Sequence, residues 1–204
     1  MGSLKERISG EPLHGRSIDM KTYALDEGTI LVEGWLREDR FRAVFDITGE
    51  QCPPGPVHHM AIRLLVGGTP LTILDAEAEM ENVPLDICRT TLETVRSVIG
   101  LEIAAGFQKK VRRLMGGEKG CAHLTHLLTV MSQAVFQGAL AHKRRHPIPV
   151  PNALEAVAGL EYLVGSCRAW GADGPKMRNL KAAIRNKGPG SRRLVPKTDA
   201  DKQI

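Results

Sequence analysis

Val57-His58-His59-Met60-Ala61-Ile62-Arg63-Leu64-Leu65-Val66 runs straight into Gly67-Gly68, and the reading of this stretch decides the fold. Alternate residues fall into two sets. Val57, His59, Ala61, Arg63 and Leu65 form one, and His58, Met60, Ile62, Leu64 and Val66 form the other, more apolar one. A period of two with one greasy side predicts a strand covered on a single face. Gly67-Gly68 predicts a hairpin turn, and Leu71 to about Met80 continues as a partner strand through Ile73, Asp75, Glu77 and Glu79.

Working back toward the N-terminus, Ile30, Val32, Gly34 and Leu36 alternate with Leu31, Glu33, Trp35 and Arg37. Glu38-Asp39 reads as a tight turn, after which Phe41, Ala43, Phe45 and Ile47 alternate again and complete a hairpin. Gly49 to Pro56 is a Pro/Gly loop carrying Cys52. Four consecutive antiparallel strands make a meander, and one face then needs a cover. The residues before about Ile18 are polar, with Gly10, Pro12 and Gly15, and read as a flexible arm of residues 1–18.

The cover comes from the second half of the chain. Arg89 to Ile99, ended by Gly100, reads as a helix, and Ile103 to Met115 as a second with Lys109, Lys110, Arg112 and Arg113 outward. A third, from about His123 to His142, carries a broad apolar face of Leu124, Leu127, Leu128, Met131, Val135 and Leu140. The expected fold is therefore α+β, a four-stranded antiparallel meander covered on one face by three to four helices, over residues 19–146. His146-Pro147-Ile148-Pro149-Val150-Pro151 opens a linker. A last helix is expected from Ala153 to about Trp170, so that residues 147–170 form a linker with a packed helix. Residues 171–204 form a basic, poorly ordered tail, with a short helix expected over Pro175 to Arg185.

Bulk composition narrows the function classes. The 204 residues are 42% hydrophobic and 25% charged, ordinary for a globular protein. Aromatics at 4% argue against a base-stacking platform, and no nucleic-acid motif accompanies the basic tail. The tail holds nine Lys/Arg against three Asp, which exceeds the whole chain's net charge of +5 and leaves the body near neutral. No apolar run is long enough to span a bilayer and no signal peptide is evident, so a cytoplasmic protein is expected. Its partner is expected to be a small molecule rather than nucleic acid or membrane, and a homo-oligomer is compatible with the sequence. In a reducing compartment Cys52, Cys88, Cys121 and Cys167 read as free thiols or ligands.

Gly120-Cys121-Ala122-His123-Leu124-Thr125-His126 carries the chemistry, because a thiol and two imidazoles flank a helix start. With His58 opening a strand and Cys88 opening a helix, the candidate metal ligands are His58, Cys88, Cys121 and His123. Cys121 and His123 are about 200° apart if both are helical, so they share one ion only if the helix begins after His123. His126 with His123 is a competing pair. Each residue taken alone has a simpler reading, as a packed histidine, a packed cysteine or, for His126, a surface group. Cys52 and Cys167 receive no role.

Residues from about His14 to His142 resemble a bacterial family, domain-of-unknown-function family 2889. The resemblance rests on Val57-His58-His59-Met60-Ala61-Ile62-Arg63, on Pro84-Leu85-Asp86-Ile87-Cys88, on Gly100 to Phe107 and above all on Gly116-Gly117-Glu118-Lys119-Gly120-Cys121-Ala122-His123-Leu124. His59 and His126 depart from it, each standing at a commonly acidic position. The layout of ligands also resembles iron–sulfur scaffold proteins of the NifU type, with His58 where the first scaffold thiolate would be. That resemblance implies the candidate ligands gather at one end of the sheet.

A mixed Cys/His set suits mononuclear Zn²⁺ or iron better than a transferable cluster. The expected function is a metal-dependent enzyme, a hydrolase or lyase of a small anionic metabolite. Glu77 or Asp75 is its expected base, and Arg63, Lys109 or Arg112 its expected anion attractors. The alternatives are a non-catalytic metal or iron–sulfur carrier and an enzyme with Cys121 as nucleophile beside His123.

Overall fold

The computed structural model describes residues 2–157 and 159–187, in two compact units that divide after Arg145. The part of the basic tail beyond residue 187 lies outside the described residues.

In the first unit the strands are β1 (His14–Ala24), β2 (Thr29–Arg40), β3 (Val44–Phe45), β4 (Gln51–Cys52), β5 (Gly55–Gly67) and β6 (Thr72–Asn82). The main sheet has the order β1-β2-β5-β6, antiparallel throughout, while β3 and β4 pair only with each other. A four-stranded antiparallel meander is thus present, but its first strand is not the expected one. The stretch from His14 to Ala24, read as arm as far as Ile18 and assigned no strand beyond it, pairs with β2 along its whole length.

The turn that joins them is built by Asp26, whose Oδ1 accepts from the N–H groups of Gly28 and Thr29, both at 2.7 Å. Glu38-Asp39 makes no turn; both residues stay in β2. The expected strand Phe41–Ile47 shrinks to Val44–Phe45. Its turn is held by Asp46, whose Oδ1 accepts from the Thr48 and Glu50 N–H groups and the Thr48 hydroxyl.

One face of the sheet is covered by helix α2 (Ala122–Lys143), which packs on β1, β2 and β5. Leu124, Leu127, Leu128, Met131 and Val135 are fully buried against Val32, Leu36, Ile62 and Leu64 in one core. Burial of each such side chain is worth about 1.5–3 kcal/mol, several times what helix propensity contributes per residue.

Two glycines set the distance between helix and sheet. A Cβ on Gly34 would lie 2.8 Å from Met131 Sδ, and one on Gly138 would lie 2.3 Å from Thr22 Cγ2. Both positions therefore require the absence of a side chain.

Helix α1 (Phe107–Met115) and a 3-10 helix (Asp86–Val98) complete the cover. Residues Arg89–Ile99 were expected to be α-helical. In the 3-10 form the hydroxyls of Thr90, Thr91, Thr94 and Ser97 each donate to the carbonyl three residues back. Val95 and Val98, also three apart, fall together on the buried side. The other face of the main sheet carries Arg63, bound to Glu33, Glu77 and Glu79, beside Trp35.

The second unit holds α3 (Leu160–Leu163) and α4 (Pro175–Arg185), with 3-10 turns at Leu154–Ala156 and Arg168–Trp170. A continuous helix from Ala153 to Trp170 does not form. Gly159 and Gly165 adopt φ of 78° and 76° and interrupt it. The short helix from Pro175 to Arg185 is present at those bounds.

Candidate metal centre

Strand parity places a carboxylate and an imidazole together. Residues Ile30, Val32, Gly34 and Leu36 face the helices, and the same alternation carries Glu38 to that face. On β5 the matching set runs from Val66 back to His58, and Glu38 pairs in register with His58. The register shifts immediately after Glu38, an irregularity of the kind that often re-aims side chains beside sites. His58 Nδ1 lies 2.7 Å from Glu38 Oε2.

The third group comes from α2. Cys121 is the N-cap, with φ −98° and ψ 130°, and its carbonyl accepts from the Thr125 N–H at 2.9 Å and the Thr125 hydroxyl at 2.8 Å. The same hydroxyl also approaches Met115 O at 2.8 Å, tying the helix start to the end of α1. A Cβ on Gly120 would lie 2.6 Å from Met115 O, so the close approach requires glycine. Held there, His123 directs Nε2 at Glu38 Oε2 over 3.2 Å, and its ring stacks on His58 with centroids 3.8 Å apart.

Glu38, His58 and His123 each offer a ligand atom within 4.8 Å of the others. This His₂Glu cluster could hold a metal ion. Tetrahedral Zn²⁺ with bonds of about 2.0–2.1 Å sets its ligand atoms about 3.3–3.4 Å apart. The His123–Glu38 distance of 3.2 Å already suits that geometry. The His58–Glu38 pair is closed as a hydrogen bond, and an ion between them requires it to open by roughly half an ångström.

Glu38 is only 7% exposed, yet its carboxyl lies below the usual carboxylate range. Burial pushes it up, and the charge of His123, the hydrogen bond from His58 and the charge of Arg16 together outweigh that. His123 is itself pushed down, first by burial and then by His58, with Glu38 opposing. Both shifts favour the forms that bind a cation, an anionic carboxylate and a neutral imidazole.

The other carboxylate oxygen faces β1. Arg16 Nη1 lies 3.2 Å and His14 Nε2 3.8 Å from Glu38 Oε1. Neither residue was singled out from sequence, because both fall in the stretch read as an arm. Glu38 was missed as a turn residue, although extending the alternation of Ile30 to Leu36 by one step would have aimed it at the His58 face.

Only part of the expected ligand set comes together. His58 and His123 come together; among the described residues Cys88 and Cys121 are not part of the cluster. Cys88 is half-buried against the hydrophobic core. Cys121 does touch His123, but at the other ring nitrogen, with Sγ 3.8 Å from Nδ1. The condition for both to bind one ion is not met, because α2 begins at Ala122, before His123. His126 is exposed.

Glu77 lies away from this cluster. It pairs in register with Arg63 on the opposite sheet face, is 65% exposed and binds Arg63 at 3.3 Å. Asp75 binds Arg96 at 3.4 Å. Arg63 is held by three carboxylates on that same far face, and Lys109 and Arg112 lie exposed on α1.

The family model for a protein of unknown function, DUF2889, matches residues 14–137. The chain belongs to the DUF2889 family. The matched region starts at His14 and takes in the whole sheet, α1 and most of α2, so that every member of the cluster lies inside it. No curated protein and no solved structure matches the chain. The NifU-type layout gains no support from these comparisons. No helix among the described residues is long and apolar enough to cross a membrane.

Proposed function

We propose that this DUF2889 protein is a metal-dependent enzyme whose centre is Glu38, His58 and His123, with Zn²⁺ or Fe²⁺ as the ion. The observation that carries the reading is a buried carboxylate oxygen shared by two imidazole nitrogens from separate elements, at 2.7 and 3.2 Å. Two histidines and one carboxylate are the donor set of catalytic zinc in several hydrolases and of non-haem iron. Three protein ligands leave coordination positions open, and His123, whose side chain is 27% exposed, leaves the ion reachable.

Bound there, the ion would polarise a substrate oxygen or lower the pKa of water, which serves hydrolysis and lyase chemistry alike. His14, half-exposed beside Glu38, replaces Glu77 as the group placed to take a proton. The protein stripped of metal and reloaded with Zn²⁺ or Fe²⁺ should turn over members of a panel of small esters, amides and hydroxy acids. Glu38→Gln should abolish that turnover. Stoichiometric metal with no turnover across the panel would favour a metal carrier instead.

A second reading is supported by the contact of Cys121 Sγ with His123 Nδ1. In it the imidazole activates the thiol as nucleophile. Alkylation of Cys121 near neutral pH much faster than that of free cysteine, and slowed by His123→Ala, would support it. Ordinary labelling rates would remove it.

A further inference from the structure

We infer that the centre takes a small carboxylate, and that Arg16 is the residue that binds it, released from Glu38 when the ion enters. The inference rests on the metal-centre reading. Its first observation is charge balance. Without an ion, the guanidinium of Arg16 and the carboxylate of Glu38 offset each other at 3.2 Å. A divalent ion beside Glu38 leaves about two positive charges uncompensated at a partly buried site. The neighbouring acids do not supply the balance. Asp39 is held bidentately by Arg37 at 2.8 and 2.9 Å, and Glu81 lies 2.6 Å from His59, whose place in the strand alternation is on the opposite sheet face. An anion from solution is the remaining counter-charge.

The second observation is how loosely Arg16 is held. It lies on β1, an edge strand of the sheet, where no further strand flanks it among the described residues. Its side chain is 35% exposed, against 10% for the Glu38 side chain, and its approach to Glu38 at 3.2 Å is longer than the 2.7 Å of His58. A planar carboxylate can engage the guanidinium fork through two parallel bonds. An ion on the Oε2 side withdraws electron density from Glu38 and weakens its hold on Arg16. The same event that creates the demand for an anion thus frees the group that recognises it.

A ligand with a carboxylate and a second oxygen a few bonds away spans guanidinium and ion together. Small hydroxy acids and oxo acids have that form. Arg16 and His14 face the same Glu38 oxygen and form the rim through which such a ligand enters.

The test is calorimetric titration of glycolate into the full-length protein, metal-free and loaded with Co²⁺, for wild type, Arg16→Gln and Arg16→Lys. Wild type should bind glycolate at least about ten-fold more tightly with Co²⁺ than without. Arg16→Gln should still take up Co²⁺ but lose about ten-fold or more in glycolate affinity, a loss of roughly 1.4 kcal/mol. Arg16→Lys should recover only part of it, because it restores charge but not the fork. Glycolate binding equally tight in Co²⁺-loaded Arg16→Gln and wild type would overturn the inference while leaving the metal centre standing. Failure of the wild-type protein to take up Co²⁺ would overturn the metal centre and the inference together.

Discussion

Glu38 and His58 stand opposite one another on neighbouring strands, and their side chains meet at 2.7 Å on the face that α2 covers. Two alternations that elsewhere build a hydrophobic core end, at one edge of that core, in an acid and a base. His123 then arrives from the helix that the same core holds in place.

Removing the acid should be felt in stability as well as in binding. Glu38→Gln keeps the shape but removes the anion that Arg16, His58 and His123 face. Breaking a buried charged network by one partner costs on the order of 2–4 kcal/mol, tempered here by the exposure of Arg16. Urea unfolding should show a lower midpoint with an unchanged slope. A midpoint within experimental error of wild type would mean that the cluster does not hold the site together.

Metal uptake should move a hydrogen on His58. The short contact between His58 Nδ1 and Glu38 Oε2 pairs an N–H donor with a carboxylate, and an ion bound to Nδ1 must displace that hydrogen, which a neutral imidazole then carries on Nε2. Nitrogen-15 NMR of the histidine rings with and without Zn²⁺ should show the His58 hydrogen leaving Nδ1 for Nε2. A hydrogen that stays on Nδ1 would indicate that His58 binds through its other nitrogen or not at all.

The metal-free protein should lose stability on acidification in two steps of the same sign. His123 has its pKa lowered from 6.5 on folding, so the unfolded chain takes up its proton first and stability falls as the pH drops below about 6.5. Glu38 has its pKa lowered from 4.5, so its contribution is present above that pH and is lost as the pH falls further. Thermal melts from pH 8 down to about 3 should show His123→Asn removing the first step and shrinking the second, because the charge of His123 helps to hold Glu38 down. A variant profile that superimposes on wild type would contradict the assignment.

Gly138→Ala separates propensity from packing. Alanine in a helix interior gains about 1 kcal/mol over glycine. At this position, however, the new methyl meets Thr22 Cγ2, Oγ1 and Cβ at 2.3, 2.6 and 2.7 Å. A threonine is stiff at χ1, so strand or helix must shift, at a typical cost of about 1–3 kcal/mol. Packing should win, with net destabilisation of up to about 2 kcal/mol by urea unfolding. A stabilised variant would show that α2 rests less closely on β1 than described.

The β5–β6 hairpin and α2 were legible in sequence because each buries one face, and burial writes a period into the chain. His58 and His123 were legible for the same reason, as polar residues at the ends of apolar patterns. Strand β1 was not legible, because edge-strand residues such as Arg16, Asp19 and Lys21 reach solvent and blur the alternation. Glu38 was hidden differently. Arg37-Glu38-Asp39-Arg40 looks like a turn by composition, and only the approach of Arg16, His58 and His123 makes an acid stable on the covered face. Cys88 and Cys121 drew attention as thiols at expected helix starts, and spacing along the chain does not reveal which ring nitrogen a thiol will meet.

The most direct test is equilibrium titration of metal-stripped protein with Zn²⁺ and with Fe²⁺, the latter without oxygen, for wild type and four single variants. Wild type should bind one ion per chain. His58→Ala and His123→Ala should each lose about a hundred-fold or more in affinity, whereas Cys88→Ala should stay within about three-fold of wild type and Cys121→Ser within about ten-fold. Wild-type protein that binds no ion, or an ion that survives loss of both histidines and leaves with Cys88 or Cys121, would contradict the centre described.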